Sequence, residues 1–206
     1  MIIKKKIILF DLDGVLIDSK KNMFRAWKMV QKKHNIKTKF NKYFENIGIP
    51  FQEILKKLKI KKDIKKIEKT YRDESSKSLN QIKTFPGVIN FLKYLKKNKI
   101  KIGIVTSKDK GRTLMITKKL QVNFNVIVCP SKKLRGKPYP DQINKALNKF
   151  TENKKYICYV GDTQIDSIAA KRAGVEFIFA SYGYGSGRHK AKINKISELK
   201  KFLNIN

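Results

Sequence analysis

Cysteine and histidine are scarce in this chain of 206 residues, which contains two of each. The cysteines, Cys129 and Cys158, stand apart in the apolar segments VIVCP and YICYV. Since the sequence holds no Cys-x-x-Cys pair and no ligand-like spacing of cysteine and histidine, we expect neither a disulfide framework nor a zinc site. Both cysteines are better explained as small buried side chains.

Long apolar runs are also missing, and no segment approaches the roughly 20 residues that span a bilayer. The N-terminal MIIKKKIILF resembles a signal peptide only faintly, because its apolar part is short and Asp11 and Asp13 interrupt it. We therefore expect a cytoplasmic protein with no membrane partner. With 41% hydrophobic residues, the chain is long enough for one well-buried domain, alone or with a smaller inserted one.

Acidic residues are few, 16 against 49 lysines and arginines, and the formal net charge is +33. A basic chain is a candidate nucleic-acid binder. Here only six of the basic residues are arginines, and the lysines are spread over every predicted helix. Because specific readers of phosphates and bases favour arginine, we expect a solvated surface rather than a specific nucleic-acid site. The positive field would still attract anionic substrates.

Short apolar runs alternate with helical patterns along most of the chain. We predict strands over residues 7–10, 100–105, 124–129, 156–160 and 175–180, and helices over residues 20–34, 109–120, 140–150, 164–173 and 195–204. This alternation predicts an α/β fold with a doubly wound, mostly parallel, five-stranded Rossmann-like sheet. From about 38 to 80 the patterns are only helical, which predicts a helical insertion rather than part of the sheet.

Acidic residues follow two of the predicted strands. Asp11 and Asp13 end the stretch IILFDLDG, and their side chains point the same way if the strand geometry continues. Two adjacent carboxylates repel unless a positive charge lies between them, and Mg²⁺ prefers oxygen ligands. Asp162 ends another strand, and Asp166 follows one helical turn later on the same face. A solvated turn at Asp11–Gly14, and a favourable helix N-terminus at Asp166, are the structural alternatives.

Hydroxyl and lysine side chains are predicted at the same edge. Thr106 and Ser107 end the second strand, and Lys137 lies in the loop before the helix over 140–150. In open α/β sheets, ligands bind beyond the carboxyl ends of the strands. Four of only 16 acidic residues thus converge with one lysine and two hydroxyls, which predicts a binding or catalytic site. Thr106 as a simple strand-end cap is the alternative.

The ordered motifs DLDGVL, IVTSK, RGKPYPD and GDTQID resemble the haloacid dehalogenase (HAD) superfamily, in its branch of phosphoglycolate-phosphatase-like hydrolases. The similarity covers nearly the whole chain, with FPGVINFLKYLKKNKIKIGIVTSK especially close to the family's pattern. It implies a Rossmann-like catalytic core over 1–18 and 84–206. It also implies that the helical insertion, over 19–83, is a small α-helical cap domain.

The resemblance implies roles for the acidic residues. Asp11 would be the nucleophile that forms an aspartyl-phosphate, and Asp13 the general acid and then the general base. Mg²⁺ would bind Asp11, the backbone carbonyl of Asp13 and Asp162, with Asp166 supporting it directly or through water. Dehalogenating members lack the second aspartate, so Asp13 favours phosphoryl transfer.

The resemblance also implies how substrate is held. Thr106 and the backbone N–H of Ser107 would bind the phosphoryl group, and Lys137 would supply positive charge to the phosphate and to Asp11. Gly48 lies in a loop that resembles the family's substrate-facing cap loop. Arg25 and Arg72 could meet a substrate carboxylate or could equally lie on the surface.

The leading hypothesis is therefore a Mg²⁺-dependent phosphatase for a small phosphomonoester metabolite, phosphoglycolate or a sugar phosphate. The alternative is a phosphomutase of the beta-phosphoglucomutase type, which shares the nucleophile and the acid/base. A nucleic-acid-binding protein, motivated by the net charge, is the rival from another class. A monomer or a homodimer is expected.

Overall fold

The computed structural model describes residues 4–203. Residues 1–3, at the start of the first predicted core segment, and residues 204–206, at the end of the second, lie outside the described residues. The same holds for residue 204, the last of the helix predicted over 195–204. The strands in chain order are β1 (Ile7–Phe10), β2 (Ile17–Asp18), β3 (Lys83–Thr84), β4 (Lys101–Val105), β5 (Val126–Val128), β6 (Ile157–Gly161), β7 (Glu176–Ala180) and β8 (Lys192–Ile193). The helices are α1 (Lys20–His34), α2 (Phe40–Phe44), α3 (Phe51–Lys57), α4 (Ile64–Lys77), α5 (Val88–Lys97), α6 (Lys110–Lys119), α7 (Asp141–Leu147) and α8 (Gln164–Ala173).

Six of these strands form one parallel sheet in the order β5-β4-β1-β6-β7-β8. The predicted fold class is thereby confirmed, whereas the predicted count of five strands is wrong. The additional strand, β8, is only two residues long and follows the polar stretch SGRHKA, so no apolar run marks it. The helix predicted over 195–204 is a 3₁₀ helix, Ile196–Phe202.

The central strand β1 is buried on both faces. Ile8 and Phe10 belong to one hydrophobic core with residues of α5, α6 and the final 3₁₀ helix, and Ile7 and Leu9 to a second core with residues of α7 and α8. The alternation follows from the two-residue period of a strand. Burial on both faces explains why this strand reads as a continuous apolar run.

The register brings the ends of the central strands together. Phe10 of β1 pairs with Ile104 of β4 on one side and with Val160 of β6 on the other. Because the three strands are parallel and in step, the residues that follow them meet at the middle of one edge of the sheet.

Helices α1 to α4 surround a separate hydrophobic core. The Trp27 and Tyr43 rings stack at its centre, with their centroids 4.4 Å apart. The chain leaves the sheet region through β2 and returns through β3, and these two short strands pair antiparallel, Ile17 with Thr84. The boundaries of the helical insertion, 19–83, stay a prediction.

Two further expectations concern the state of the cysteines and the presence of membrane-spanning helices. Cys129 and Cys158 are both free; Cys158 is buried as predicted, whereas Cys129, which follows the short strand β5, is only partly buried. Over residues 4–203, no helix combines the length and apolarity that a membrane crossing needs. Only three lysines of this range are buried, namely Lys5, Lys108 and Lys137, and two of them lie at the site described next.

Candidate active site

Three carboxylates meet at the predicted edge of the sheet. Asp11 directly follows β1, Asp162 directly follows β6, and Asp166 lies in the first turn of α8. One carboxylate oxygen from each lies within 4.8 Å of the others, and all three residues are buried. Backbone hydrogen bonding places Asp11, whose N–H donates to the carbonyl of Val160 at 2.8 Å.

The backbone of two neighbouring loops lies close to the Asp162 carboxylate. Its Oδ2 accepts a hydrogen bond from the N–H of Tyr184 at 2.7 Å. Gly14 has a φ of +85°, and a Cβ at Gly14 or at Gly183 would overlap the Asp162 side chain. The loop after β1 and the loop after β7 can therefore approach this carboxylate closely because they present glycine to it.

We expect Gly14→Ala to displace Asp162 and to destabilise the fold by about 1–3 kcal/mol, because the new methyl group overlaps the carboxylate and the positive φ is strained. Thermal unfolding with and without a divalent cation measures the effect: the wild type gains stability from the cation and the variant does not. Gly111→Ala, in helix α6, is the matched control, since a Cβ at Gly111 would meet only Oδ1 of Asp109, at an ordinary contact distance of 3.5 Å. An unimpaired cation response in Gly14→Ala would contradict this interpretation.

Lys137 lies behind the nucleophile candidate and is fully buried. Its Nζ is 2.6 Å from Asp166 Oδ1, 3.1 Å from Asp11 Oδ1 and 3.1 Å from the hydroxyl of Tyr159. The Tyr159 hydroxyl in turn donates to the carbonyl of Val105 at 3.0 Å. Lys137 thus supplies one positive charge to a cluster of three carboxylates, and it does not line the cavity described below.

Asp166 has most of its hydrogen-bonding capacity satisfied by the protein. Besides Lys137, its carboxylate accepts hydrogen bonds from the Thr163 N–H at 3.1 Å and the Thr163 hydroxyl at 2.6 Å. With the Asp166 N–H bonded back to Thr163, these contacts form a capping box at the start of α8. Asp166 therefore both begins the helix and lies beside the other carboxylates, so the two interpretations of this residue are compatible.

Asp13 lies on the cavity side of the cluster. Its carboxylate accepts a hydrogen bond from the Ser19 hydroxyl and lies 3.1 Å from Lys108 Nζ. Sequence reasoning missed both partners. Ser19 directly precedes α1, but its side chain makes no cap hydrogen bond there and bonds to Asp13 instead. The signal for Lys108 was its position right after Thr106 and Ser107 at the end of β4.

Three of the four predicted substrate-binding residues lie around one cavity, whereas the fourth, Lys137, lies outside its lining. Thr106 is buried, and its hydroxyl accepts a hydrogen bond from the N–H of Lys108 at 3.1 Å. The Ser107 hydroxyl donates to the carbonyl of Gly48 at 2.7 Å, which joins the sheet edge to the loop between α2 and α3. Thr106, Ser107 and Gly48 all line the cavity.

The cavity has a volume of about 70 Å³ and lies between the sheet edge and the helical insertion. The sheet side contributes Asp11, Asp13 and Asp162 to its lining, with Thr106, Ser107, Lys108, Arg112 and Thr163; the helical insertion contributes Met23, Tyr43, Ile47, Gly48, Ile49, Phe51, Ile54 and Tyr71. Arg112, Tyr43 and Tyr71 were not predicted. Arg25 and Arg72, the arginines considered from sequence, are not among its lining residues in the described part of the chain.

The electrostatics of the carboxylate cluster favour a bound cation. Burial, with the neighbouring charge of Asp166, raises the pKa of Asp162 well above its ordinary range. Burial also raises the pKa of Asp11 to about 7, against the lowering effect of Lys137. Over residues 4–203, Oδ1 of Asp162 is buried and accepts no hydrogen bond, and Oδ1 of Asp11 is buried with the Lys137 ammonium group 3.1 Å away. Unpartnered carboxylate oxygens are the ligands of a hard divalent cation, so these residues fit one.

This architecture defines a class of protein: a doubly wound α/β protein with a carboxylate cluster at the strand ends, beneath helices inserted after the first strand. The family model of haloacid dehalogenase-like hydrolases matches residues 8–180. The chain belongs to this family, and the resemblance noted from sequence is confirmed.

Relatives and solved structures agree with this assignment. The phosphorylated carbohydrates phosphatase of Thermotoga maritima is 26% identical over 179 residues, which cover 84% of this chain and 83% of the relative. The phosphoglycolate phosphatase of Aquifex aeolicus is 29% identical over 183 residues, which cover 87% and 86%. A solved hydrolase of the haloacid dehalogenase-like family from Streptococcus pneumoniae has the same fold, with a TM-score of 0.83 at 23% identity, covering 96% of this chain and 98% of that one.

Proposed function

We propose that this protein is a Mg²⁺-dependent phosphatase that hydrolyses a small phosphomonoester through an aspartyl-phosphate. The observation that carries the proposal is Asp11: a buried carboxylate in the lining of a small cavity, paired with Lys137 through Oδ1 and beside Asp162, whose own Oδ1 accepts no hydrogen bond among residues 4–203. The relatives named above, both phosphatases of small molecules, support the substrate class. We expect no specific nucleic-acid partner.

In the first step, an oxygen of Asp11 attacks phosphorus, and the bond from phosphorus to the ester oxygen breaks. Asp13 donates its proton to the leaving alcohol. In the second step, water attacks the aspartyl-phosphate, Asp13 accepts a proton from that water, and inorganic phosphate leaves while Asp11 is restored. The contacts of Asp13 with Ser19 and Lys108 orient its carboxylate toward the cavity.

Other groups bind the phosphoryl oxygens and balance charge. Thr106 and the N–H of Ser107 lie at the end of β4 on the cavity wall and would donate hydrogen bonds to the transferring phosphoryl group. Lys137 lies behind Asp11 and lowers its pKa, which opposes the effect of burial and favours the ionised nucleophile. Such fixed donors act where charge develops in the transition state.

Asp11, Asp162 and the backbone carbonyl of Asp13 would hold the Mg²⁺, with Asp166 in support. When bound, the ion shields the anionic nucleophile from the anionic phosphate. An all-oxygen donor set favours Mg²⁺ over softer metals.

We assign residues 19–83 the role of a cap over the site. Its contribution to the cavity lining, and the hydrogen bond from Ser107 to Gly48, support this role. Closure of the cap would exclude bulk water during attack by Asp11, and opening would release the product.

The test is a screen of the purified protein against 2-phosphoglycolate, glucose 1-phosphate and inorganic pyrophosphate. We expect phosphate release from a small ester with Mg²⁺, and a loss of about 100-fold or more on removal of the metal with EDTA, restored by excess Mg²⁺. Undiminished turnover in EDTA would contradict metal dependence. Isomerisation of glucose 1-phosphate without phosphate release would identify a phosphomutase instead.

A further inference from the structure

Arg112 lies in the first turn of α6, and its side chain is only 9% exposed. Asp109, just before the helix, holds it from one edge: the Asp109 carboxylate accepts hydrogen bonds from the Arg112 N–H at 3.1 Å and from Nε at 2.5 Å. This fixes the plane of the guanidinium group. The side chain lines the same cavity as Asp11.

One end of this guanidinium group is unused. Nη1 of Arg112 is buried and has no hydrogen-bond partner among residues 4–203. A buried charged donor without a partner is costly, so such a group is retained where an acceptor arrives. Lys108, the other cation of the cavity lining, is already paired with Asp13.

Two tyrosines of the helical insertion, Tyr43 and Tyr71, line the same cavity, and the Tyr71 ring lies next to Arg112. The Cζ of Arg112 lies 5.4 Å from the centroid of the Tyr71 ring. The Tyr43 hydroxyl donates to the Tyr71 hydroxyl at 2.8 Å, so the Tyr71 hydrogen remains available to another acceptor. Burial raises the pKa of both phenols, which therefore stay protonated. Hydrogen-bond donors thus reach the cavity from both sides.

We propose that Arg112 and the Tyr71 hydroxyl bind a second anionic group, at the end of the substrate remote from the reacting phosphoryl group. The proposal rests on the phosphatase function above and adds the substrate class: a short phosphoester that carries a carboxylate or a second phosphate. The planar guanidinium fork matches either group, because both can accept two parallel hydrogen bonds. The small volume of the cavity that contains both ends favours a linker of few atoms.

Arg112 and Tyr71 belong to different parts of the molecule, the sheet side and the helical insertion. Arg112 lies on α6 and Tyr71 on α4. A group bound to both would join the two sides. The second anion therefore selects the substrate and also stabilises the closed site around it.

The test compares esters that differ in one group. 2-Phosphoglycolate and ethyl phosphate share a two-carbon chain and differ by a carboxylate, and ethylene glycol bisphosphate carries a second phosphate instead. We expect the wild type to favour one of the two charged esters over ethyl phosphate by about 10- to 100-fold in kcat/KM, the range of a charge-assisted hydrogen bond. Which of the two is favoured identifies the second group.

Arg112→Gln should remove this preference, mainly by raising KM for the charged ester, and should leave ethyl phosphate within about threefold of the wild type. Tyr71→Phe, which deletes only a hydroxyl, should raise KM for the charged ester several-fold. Arg72→Gln is the matched control, because Arg72 is exposed, pairs with Glu68 and should change none of these rates.

Equal losses on ethyl phosphate and on the charged esters would overturn the proposal, since Arg112 would then act on the shared phosphoryl end. A wild type without preference would also overturn it. If Arg112→Gln does not fold, an unchanged KM in Tyr71→Phe overturns it as well. Failure of the wild type to hydrolyse any of the three esters would instead contradict the phosphatase function itself.

Discussion

Asp11→Asn abolishes phosphate release, by a factor on the order of 10⁴ or more, because an amide cannot form the aspartyl-phosphate. The substitution keeps the size of the side chain, so the surrounding core stays packed. Phosphate release under saturating ester and Mg²⁺ measures the loss, and far-UV and near-UV circular dichroism verify the fold. A variant with wild-type turnover would contradict the assignment of the nucleophile.

The same substitution also changes how stability depends on pH in EDTA. In the cation-free fold the pKa of Asp11 is raised from 3.8 to about 7, mainly by burial. Between these values the folded state holds a proton that the unfolded state has lost, so this group's contribution to stability falls as pH rises through that window. Asn at position 11 removes this contribution. Denaturant unfolding across the window should show a shallower decline for the variant than for the wild type.

Lys137→Met has the second largest expected effect, on both activity and stability. Without the ammonium group, Asp11 and Asp166 lose their buried positive partner, which costs about 3–5 kcal/mol in comparable buried pairs. Activity should fall by about 10³-fold even below the melting temperature of the variant, because the charge that balances Asp11 in the transition state is gone. Thermal unfolding and initial rates of phosphate release measure the two effects.

Lys5→Met is the control that separates the two effects. Lys5 is equally buried, with Nζ 2.6 Å from Glu176, but that pair lies at β7 and not in the cavity lining or carboxylate cluster. We expect Lys5→Met to lose stability while its kcat stays near the wild-type value. If both variants lost activity in proportion to their lost stability, Lys137 would be a structural residue only.

The strand-end residues could be predicted because chain order and sheet geometry are tightly linked. Asp11, Thr106 and Asp162 each follow an apolar run, and parallel strands carry their carboxyl ends to one edge. Prediction was less successful for β8, since two residues at the edge of a sheet need neither an apolar run nor a strong propensity.

The cavity wall opposite the carboxylates could not be predicted in the same way. Arg112 and Tyr71 lie 41 positions apart in the numbering and on different helices, and their meeting depends on how the helical insertion packs over the sheet. Arg72, adjacent to Tyr71 in the chain, instead lies on the exposed face of α4 with Glu68. Neighbouring positions on a helix point in different directions, so sequence proximity does not indicate which side chain enters a cavity.

The sequence by itself determined the family, the α/β class and the acidic residues of the site, because local apolar patterns and short motifs encode strands and the residues at their ends. Only the tertiary structure decided what surrounds those residues. It placed Lys137 against Asp11 and Asp166, joined Ser19 and Lys108 to Asp13, and buried one nitrogen of Arg112 without a hydrogen-bond partner among residues 4–203. The physical reason is that pairing and burial arise between side chains distant in the chain, and no local pattern records those contacts.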